Sequence, residues 1–160
     1  PLMKKGIEHR LDAIKKEEAM LNDEFAVYKK EVKEKISDLI ENDYIDDAGR
    51  LIEEYEKVAG SDPEIYSMKG IIAICEGQME DAENAFRQGL SIDGKNSDLL
   101  YNMGYLFEKK GFADKAIEYY GKAMAATNDE CMKNEINEVI AKLEILSDNG
   151  ENINAPNGKI

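Results

Sequence analysis

The sequence holds no tryptophan, one histidine, two cysteines and three prolines in 160 residues. Each shortage narrows what the chain can do. His9 is the single histidine, and Cys75 and Cys131 lie far apart without ligand spacing, so no zinc pattern forms. No nucleophile motif joins His9 to a cysteine or serine. Gly70, Gly77 and Gly89 lack the following Lys-Ser or Lys-Thr of a phosphate-binding loop. The sequence therefore predicts no catalytic, cofactor-binding or metal-binding residues, and no cofactor. Cys75 and Cys131 each sit in a helical apolar pattern, and both are read as reduced core residues of a cytoplasmic protein. No apolar run approaches the roughly 18 residues of a membrane span, and no signal peptide pattern is present. Positive charge is scarce too: 21 Lys and Arg stand against 34 Asp and Glu, a net charge of −13. That balance excludes nucleic acid and an anionic membrane surface as partners, because neither phosphate array could be neutralised. It suits solubility or attraction to a basic partner. The chain opens on Pro1 rather than Met, which points to a processed chain or a piece of a longer protein.

What is abundant is charge on helices. Hydrophobic residues make up 42% and charged residues 34%, a balance usual for exposed helices and coiled coils. Residues 1–41 read as one long helix, since no proline interrupts them and no glycine follows Gly6. Apolar residues there recur every seven positions. One series is Ile7, Ile14, Leu21 and Tyr28; the interleaved one is Leu11, Phe25, Val32 and Leu39, with Glu18 and Lys35 in the remaining slots. This is a coiled-coil seam. Such a helix is roughly 55–60 Å long. Two readings stand: it folds back on its own domain, or it pairs with a second copy to give a homodimer. In the second, Ile7, Leu11, Ile14, Leu21, Phe25, Tyr28 and Val32 are the oligomerisation residues.

From Pro63 to Glu130 one pattern is written twice, 34 residues apart. Gly70 returns as Gly104, Gly77 as Gly111, Ala82 as Ala116, Phe86 as Tyr120 and Leu90 as Met124. A fixed period of this length means stacked helical hairpins. Gly70 and Gly104 are expected to admit the facing helix, Gly77 and Gly111 to make the turns, and Phe86 and Tyr120 to fill the gap between successive hairpins. Counting back one more period gives a degenerate copy over 34–62, with Ala48 for Ala82 and Ile52 for Phe86, but Ile36 for Gly70 and Asp43 for Gly77. The expected architecture is all-α. It has a long helix (1–41), repeats over 34–130 (34–62 degenerate, 63–96, 97–130), a capping helix (131–146) and a disordered tail or linker (147–160). The capping helix carries an apolar face of Ile136, Val139, Ile140, Leu143 and Leu146, with Lys133, Glu135, Glu138, Lys142 and Glu144 outward.

At these spacings the residues resemble the tetratricopeptide repeat (TPR) family, strongly over 63–130 and weakly over 30–62. The resemblance implies an α-hairpin solenoid that acts as a protein-interaction scaffold, gripping a partner peptide or helix on a concave surface lined by the first helix of each hairpin. Carried to this chain, the groove would be Ser67, Ile71 and Ile74 with Tyr101, Asn102, Tyr105, Glu108 and Lys109. One branch of the family grips acidic chaperone tails through a clamp of Lys, Asn and Arg. Here only Asn102 stands at such a position, and the missing cations argue against that specificity. The segment from about Leu51 to Tyr120 also looks like repeat modules of bacterial proteins that carry a glycosyltransferase elsewhere. The readings of function are thus an interaction scaffold, an oligomerising spacer, or an accessory region of a larger enzyme.

Overall fold

The computed structural model describes residues 2–148, with side-chain surroundings from residue 5 onward. The described residues form seven helices and no strand: α1 (Leu2–Glu41), α2 (Ile45–Ala59), α3 (Pro63–Cys75), α4 (Met79–Ile92), α5 (Ser97–Lys109), α6 (Ala113–Ala126) and α7 (Glu130–Asp148). They divide into two units. The first runs to Ala59 and the second starts at Gly60. The tail expected over 147–160 lies outside the described residues from 149 onward; Ser147 and Asp148 close α7.

In the first unit the carboxy-terminal part of α1 pairs with α2. The turn between them is tight. Asp43 takes φ of 65°, the Asn42 amide donates to the Asp38 carbonyl at 3.1 Å, and the Tyr44 amide donates to the Leu39 carbonyl at 2.8 Å. Gly77 and Gly111, one and two periods on, take φ of 77° and 80° and carry the same set of bonds. The degenerate copy is therefore a hairpin of the same kind. Asp43 tolerates the left-handed conformation better than most residues with a Cβ, though less freely than glycine. Inside this hairpin Ile36, Ala48, Ile52 and Tyr55 are buried.

The second unit packs α3 on α4, α5 on α6, α4 on α5, α6 on α7 and α3 beside α5. Its start is fixed by local chemistry. Gly60 ends α2 in a left-handed conformation with φ of 73°. Asp62 Oδ1 then accepts from the Ile65 amide at 3.0 Å, and Pro63 opens α3. Asn96 caps α5 in the same way, accepting from the Leu99 amide at 3.0 Å. Each cap contributes about 1 kcal/mol.

The two hairpins of this unit close on glycine. The rings of Phe86 and Tyr120 lie directly over Gly70 and Gly104, where a Cβ would come within 2.1 Å and 2.7 Å of ring carbons. This corrects the expected role of Phe86 and Tyr120. They fill space within their own hairpin, while at Gly89 the next hairpin comes close, a Cβ there lying 2.6 Å from Leu99 of α5. The first hairpin solves the same problem differently: Ile36 stands at the glycine position and the smaller Ile52 at the ring position, both buried. Bulk has moved from one helix to the other while the core stays filled.

Helix α7 starts one period after α5, and Glu135 falls 34 residues after Tyr101. It packs Ile136 and Leu143 inward, with Val139 and Ile140 half-buried against the same core. At the position of Gly104 it carries Glu138, exposed to solvent. An exposed charge there departs from the glycine that the two preceding hairpins use for close packing. Cys75 and Cys131 correct another expectation: both are free, but both are exposed. Cys75 is the last residue of α3 and Cys131 the second of α7, where helix ends leave the core.

Candidate functional site

Helices α3 and α5 lie side by side, which brings the expected groove residues onto adjoining faces. Ser67, Ile71 and Ile74 recur at helical spacing on α3; Tyr101, Asn102, Tyr105, Glu108 and Lys109 do so on α5. Ile71, Ile74, Tyr101 and Tyr105 are half-buried, with one side packed on the core and the other open. The two helices are tied by a polar bridge, as Asn102 Nδ2 donates to Ser67 Oγ at 2.8 Å.

Sequence reasoning missed what holds the tyrosines. The Tyr101 hydroxyl donates to a Glu135 carboxylate oxygen of α7 at 2.6 Å, and the Tyr101 ring meets Tyr120 edge-on at 5.3 Å between centroids. The Tyr120 hydroxyl donates to a Glu108 carboxylate oxygen at 2.7 Å. Burial, and then the carboxylate partner, hold both phenols well above the usual tyrosine range. They are neutral donors at any physiological pH. The Lys109 ammonium lies 5.3 Å from the centre of the Tyr105 ring and is otherwise exposed. Glu135, expected only as an outward solvating charge, thus joins the edge of the groove. Its place could have been found by adding one more period to Tyr101.

The arrangement is a strip of half-exposed aliphatic and aromatic side chains with carboxylates and one ammonium at its margin. It has the means to bind but presents no activated nucleophile. Among the described residues no group of three or more His, Cys, Asp or Glu is placed to hold a metal.

The expected oligomerisation residues divide. Ile7, Leu11, Ile14, Leu21, Phe25 and Tyr28 are exposed, whereas Val32 is half-buried where α1 joins its hairpin. Phe25 and Tyr28 stack at 6.1 Å, and Lys29 lies 5.1 Å from the centre of the Phe25 ring. No helix among the described residues is long and apolar enough to cross a membrane.

Comparison with known proteins agrees with this geometry. Residues 63–96 and 97–130 each match the tetratricopeptide repeat. Among solved structures, the chain is similar to the crystal structure of the Sgt2 TPR domain from Aspergillus fumigatus. The TM-score is 0.62 at 19% identity, over 82% of this chain and 87% of that one. That likeness shows the fold. No curated protein matches the chain. Neither match bears on glycosyltransferase-associated modules.

Proposed function

We propose that this chain is a protein-interaction scaffold whose α3–α5 face receives a partner segment. Two tetratricopeptide repeats support the general role. The observation that carries the specific one is the set of half-exposed Ile71, Ile74, Tyr101 and Tyr105 on adjoining helices. Four large apolar side chains held open by their own backbone suit apolar anchors spaced three or four residues apart on a partner helix. The carboxylates of Glu108 and Glu135 at the margin, in a chain of net charge −13, select for lysine or arginine beside those anchors. Free, exposed Cys75 and Cys131 suit a reducing compartment such as the cytoplasm.

A displayed library of random peptides tests the reading. The wild-type chain is expected to enrich sequences with paired apolar anchors and flanking basic residues. Tyr101→Ala with Tyr105→Ala is expected to lose them by at least tenfold while keeping its helical circular dichroism. Enrichment of nothing, or equal binding by the folded double variant, refutes the groove.

A second reading is favoured by the exposed stripe of α1, which suits an oligomerising device. The two readings use different units and are compatible.

A further inference from the structure

Residues 5–28 of α1 are exposed at every position described, and Ile7, Leu21 and Phe25 are 60%, 59% and 39% accessible. A lone helix in water gains little from its own hydrogen bonds and needs an apolar face covered. The uncovered face runs from Ile7 to Tyr28 and reaches half-buried Val32, about 38 Å along the axis at 1.5 Å per residue. We infer that a second copy of this chain covers it, and that the two α1 helices run antiparallel with Ile14 of one copy beside Phe25 of the other. The inference rests on the second reading above and goes further by fixing direction and register.

Charge decides the direction. A parallel pair sets each seam residue beside its own copy, so two Glu18 side chains meet in the seam. It also places Arg10 opposite Lys15 of the second copy, and the sole attraction it gains is Glu24 with Lys29. In the antiparallel pair Leu11 meets Tyr28, Ile14 meets Phe25, and Glu18 meets Leu21, so no like charges share the seam. On its flanks Glu8 meets Lys29 and Arg10 meets Glu31, each twice by symmetry, against a single repulsive contact type, Glu17 with Glu24. Sliding by a heptad in one direction keeps an attraction, Arg10 with Glu24, but loses Glu8 with Lys29 and sets Lys15 on Lys15 and Glu17 on Glu17; sliding in the other sets Lys15 on Lys29 and Glu17 on Glu31.

Length agrees. The chosen register pairs the seam from Ile7 to Val32, so it takes in every exposed seam residue from Ile7 to Tyr28. The hairpin itself is acidic: residues 33–59 hold four Lys and Arg against nine Asp and Glu, a net of −5. Parallel pairing would bring two such hairpins to the same end. Antiparallel pairing puts them at opposite ends, beyond the roughly 8 Å reach of charge at physiological salt.

The test uses the full chain with Cys75→Ser and Cys131→Ser, so that one introduced cysteine carries one spin label. Light scattering is expected to give twice the 18.0 kDa chain mass. Leu21→Glu with Phe25→Glu should return it to the single-chain mass. With His9→Cys labelled, antiparallel pairing sets the two labels 21 residues apart along the axis, so dipolar spectroscopy should read about 30–40 Å. With Ala19→Cys labelled, close to the centre of the overlap, it should read about 10–20 Å. Short distances at both sites, with the dimer mass, overturn the antiparallel arrangement and leave self-association standing. The single-chain mass in the unsubstituted protein overturns both.

Discussion

Gly70→Ala and Gly121→Ala add the same methyl group to two helix interiors, and the structure assigns them opposite signs. At Gly70 the new Cβ would lie 2.1 Å from Cε1 and 2.5 Å from Cδ1 of Phe86. That ring is fully buried and cannot swing into solvent, so α3 and α4 must part or the ring must leave its rotamer. Overpacking of this kind costs about 1–3 kcal/mol. Exchanging glycine for alanine inside a helix contributes about 0.8–1.0 kcal/mol in the other direction. The net expectation is a loss of about 0–2 kcal/mol. At Gly121 nothing lies within 4 Å of the new atom, so the helix preference acts alone and the variant gains up to about 1 kcal/mol. The difference between the variants, about 1–3 kcal/mol, isolates the packing cost, since the propensity contribution is common to both. In a unit of this size it separates the melting midpoints by at least about 4 °C. Thermal and urea unfolding followed by far-ultraviolet circular dichroism reads it. Phe86→Ile in the Gly70→Ala background imitates the pairing of Ile36 with Ile52. It should leave the double variant less damaged than the sum of the singles, with a coupling of about 0.5–3 kcal/mol. Equal midpoints for Gly70→Ala and Gly121→Ala, or a more stable Gly70→Ala, would refute the close-approach argument.

Two further outcomes follow from backbone and charge. Gly111→Ala places a Cβ at φ of 80°, a backbone conformation that strains any residue with a side chain, and about 1–2 kcal/mol should be lost in urea unfolding. Gly111→Asn should lose less, as Asp43 already holds the equivalent turn at φ of 65°. The phenols of Tyr101 and Tyr120 have folded pKa values raised above the unfolded value near 10, so their contribution to stability is complete below about pH 10 and declines as pH rises beyond it. Phenolate absorbance should show both ionising in step with alkaline unfolding, and Tyr101→Phe with Tyr120→Phe should remove that late phase.

The repeat was legible because a solenoid imposes the same packing problem every 34 residues. Gly70 and Gly104, Ala82 and Ala116, and the turns at Gly77 and Gly111 answer that problem with the same residues, so position alone predicts them. Asp62 and Pro63 were legible for a local reason, since a cap needs only its own next three residues. Cys75 and Cys131 were misread because an apolar period says which face looks inward but not where a helix outruns its neighbour. Phe86 and Tyr120 were assigned to the wrong gap for a related reason: spacing along the chain shows that a large residue recurs but not which neighbouring helix its ring meets, and each ring lies over the glycine of its own hairpin. Glu135 was missed because a charged side chain on an end helix is usually solvated, and its bond to Tyr101 depends on the lateral fit of α5 and α7. The apolar stripe of α1 was legible because its seven-residue spacing is a property of the helix alone.

On the proposed function, the internal bonds of the α3–α5 face constrain what it can recognise. Tyr101 donates its hydroxyl hydrogen bond to Glu135, Tyr120 donates its own to Glu108, and Asn102 commits one amide hydrogen to Ser67. A partner that sought these donors would have to break bonds to carboxylates already made, and charge-assisted bonds are among the strongest available to side chains. Recognition therefore falls to the open sides of Ile71, Ile74, Tyr101 and Tyr105, to the outer lone pairs of the carboxylates and to Lys109. Apolar anchors discriminate by shape and size, with about 1–3 kcal/mol at stake for each methylene that fits or fails to fit. On the proposed function, such a surface would prefer a class of partner, an amphipathic segment with basic flanks, more than a single sequence. The bonds that withhold these donors also hold the rings of Tyr101 and Tyr120 in place, so the proposed site is organised in the unbound chain.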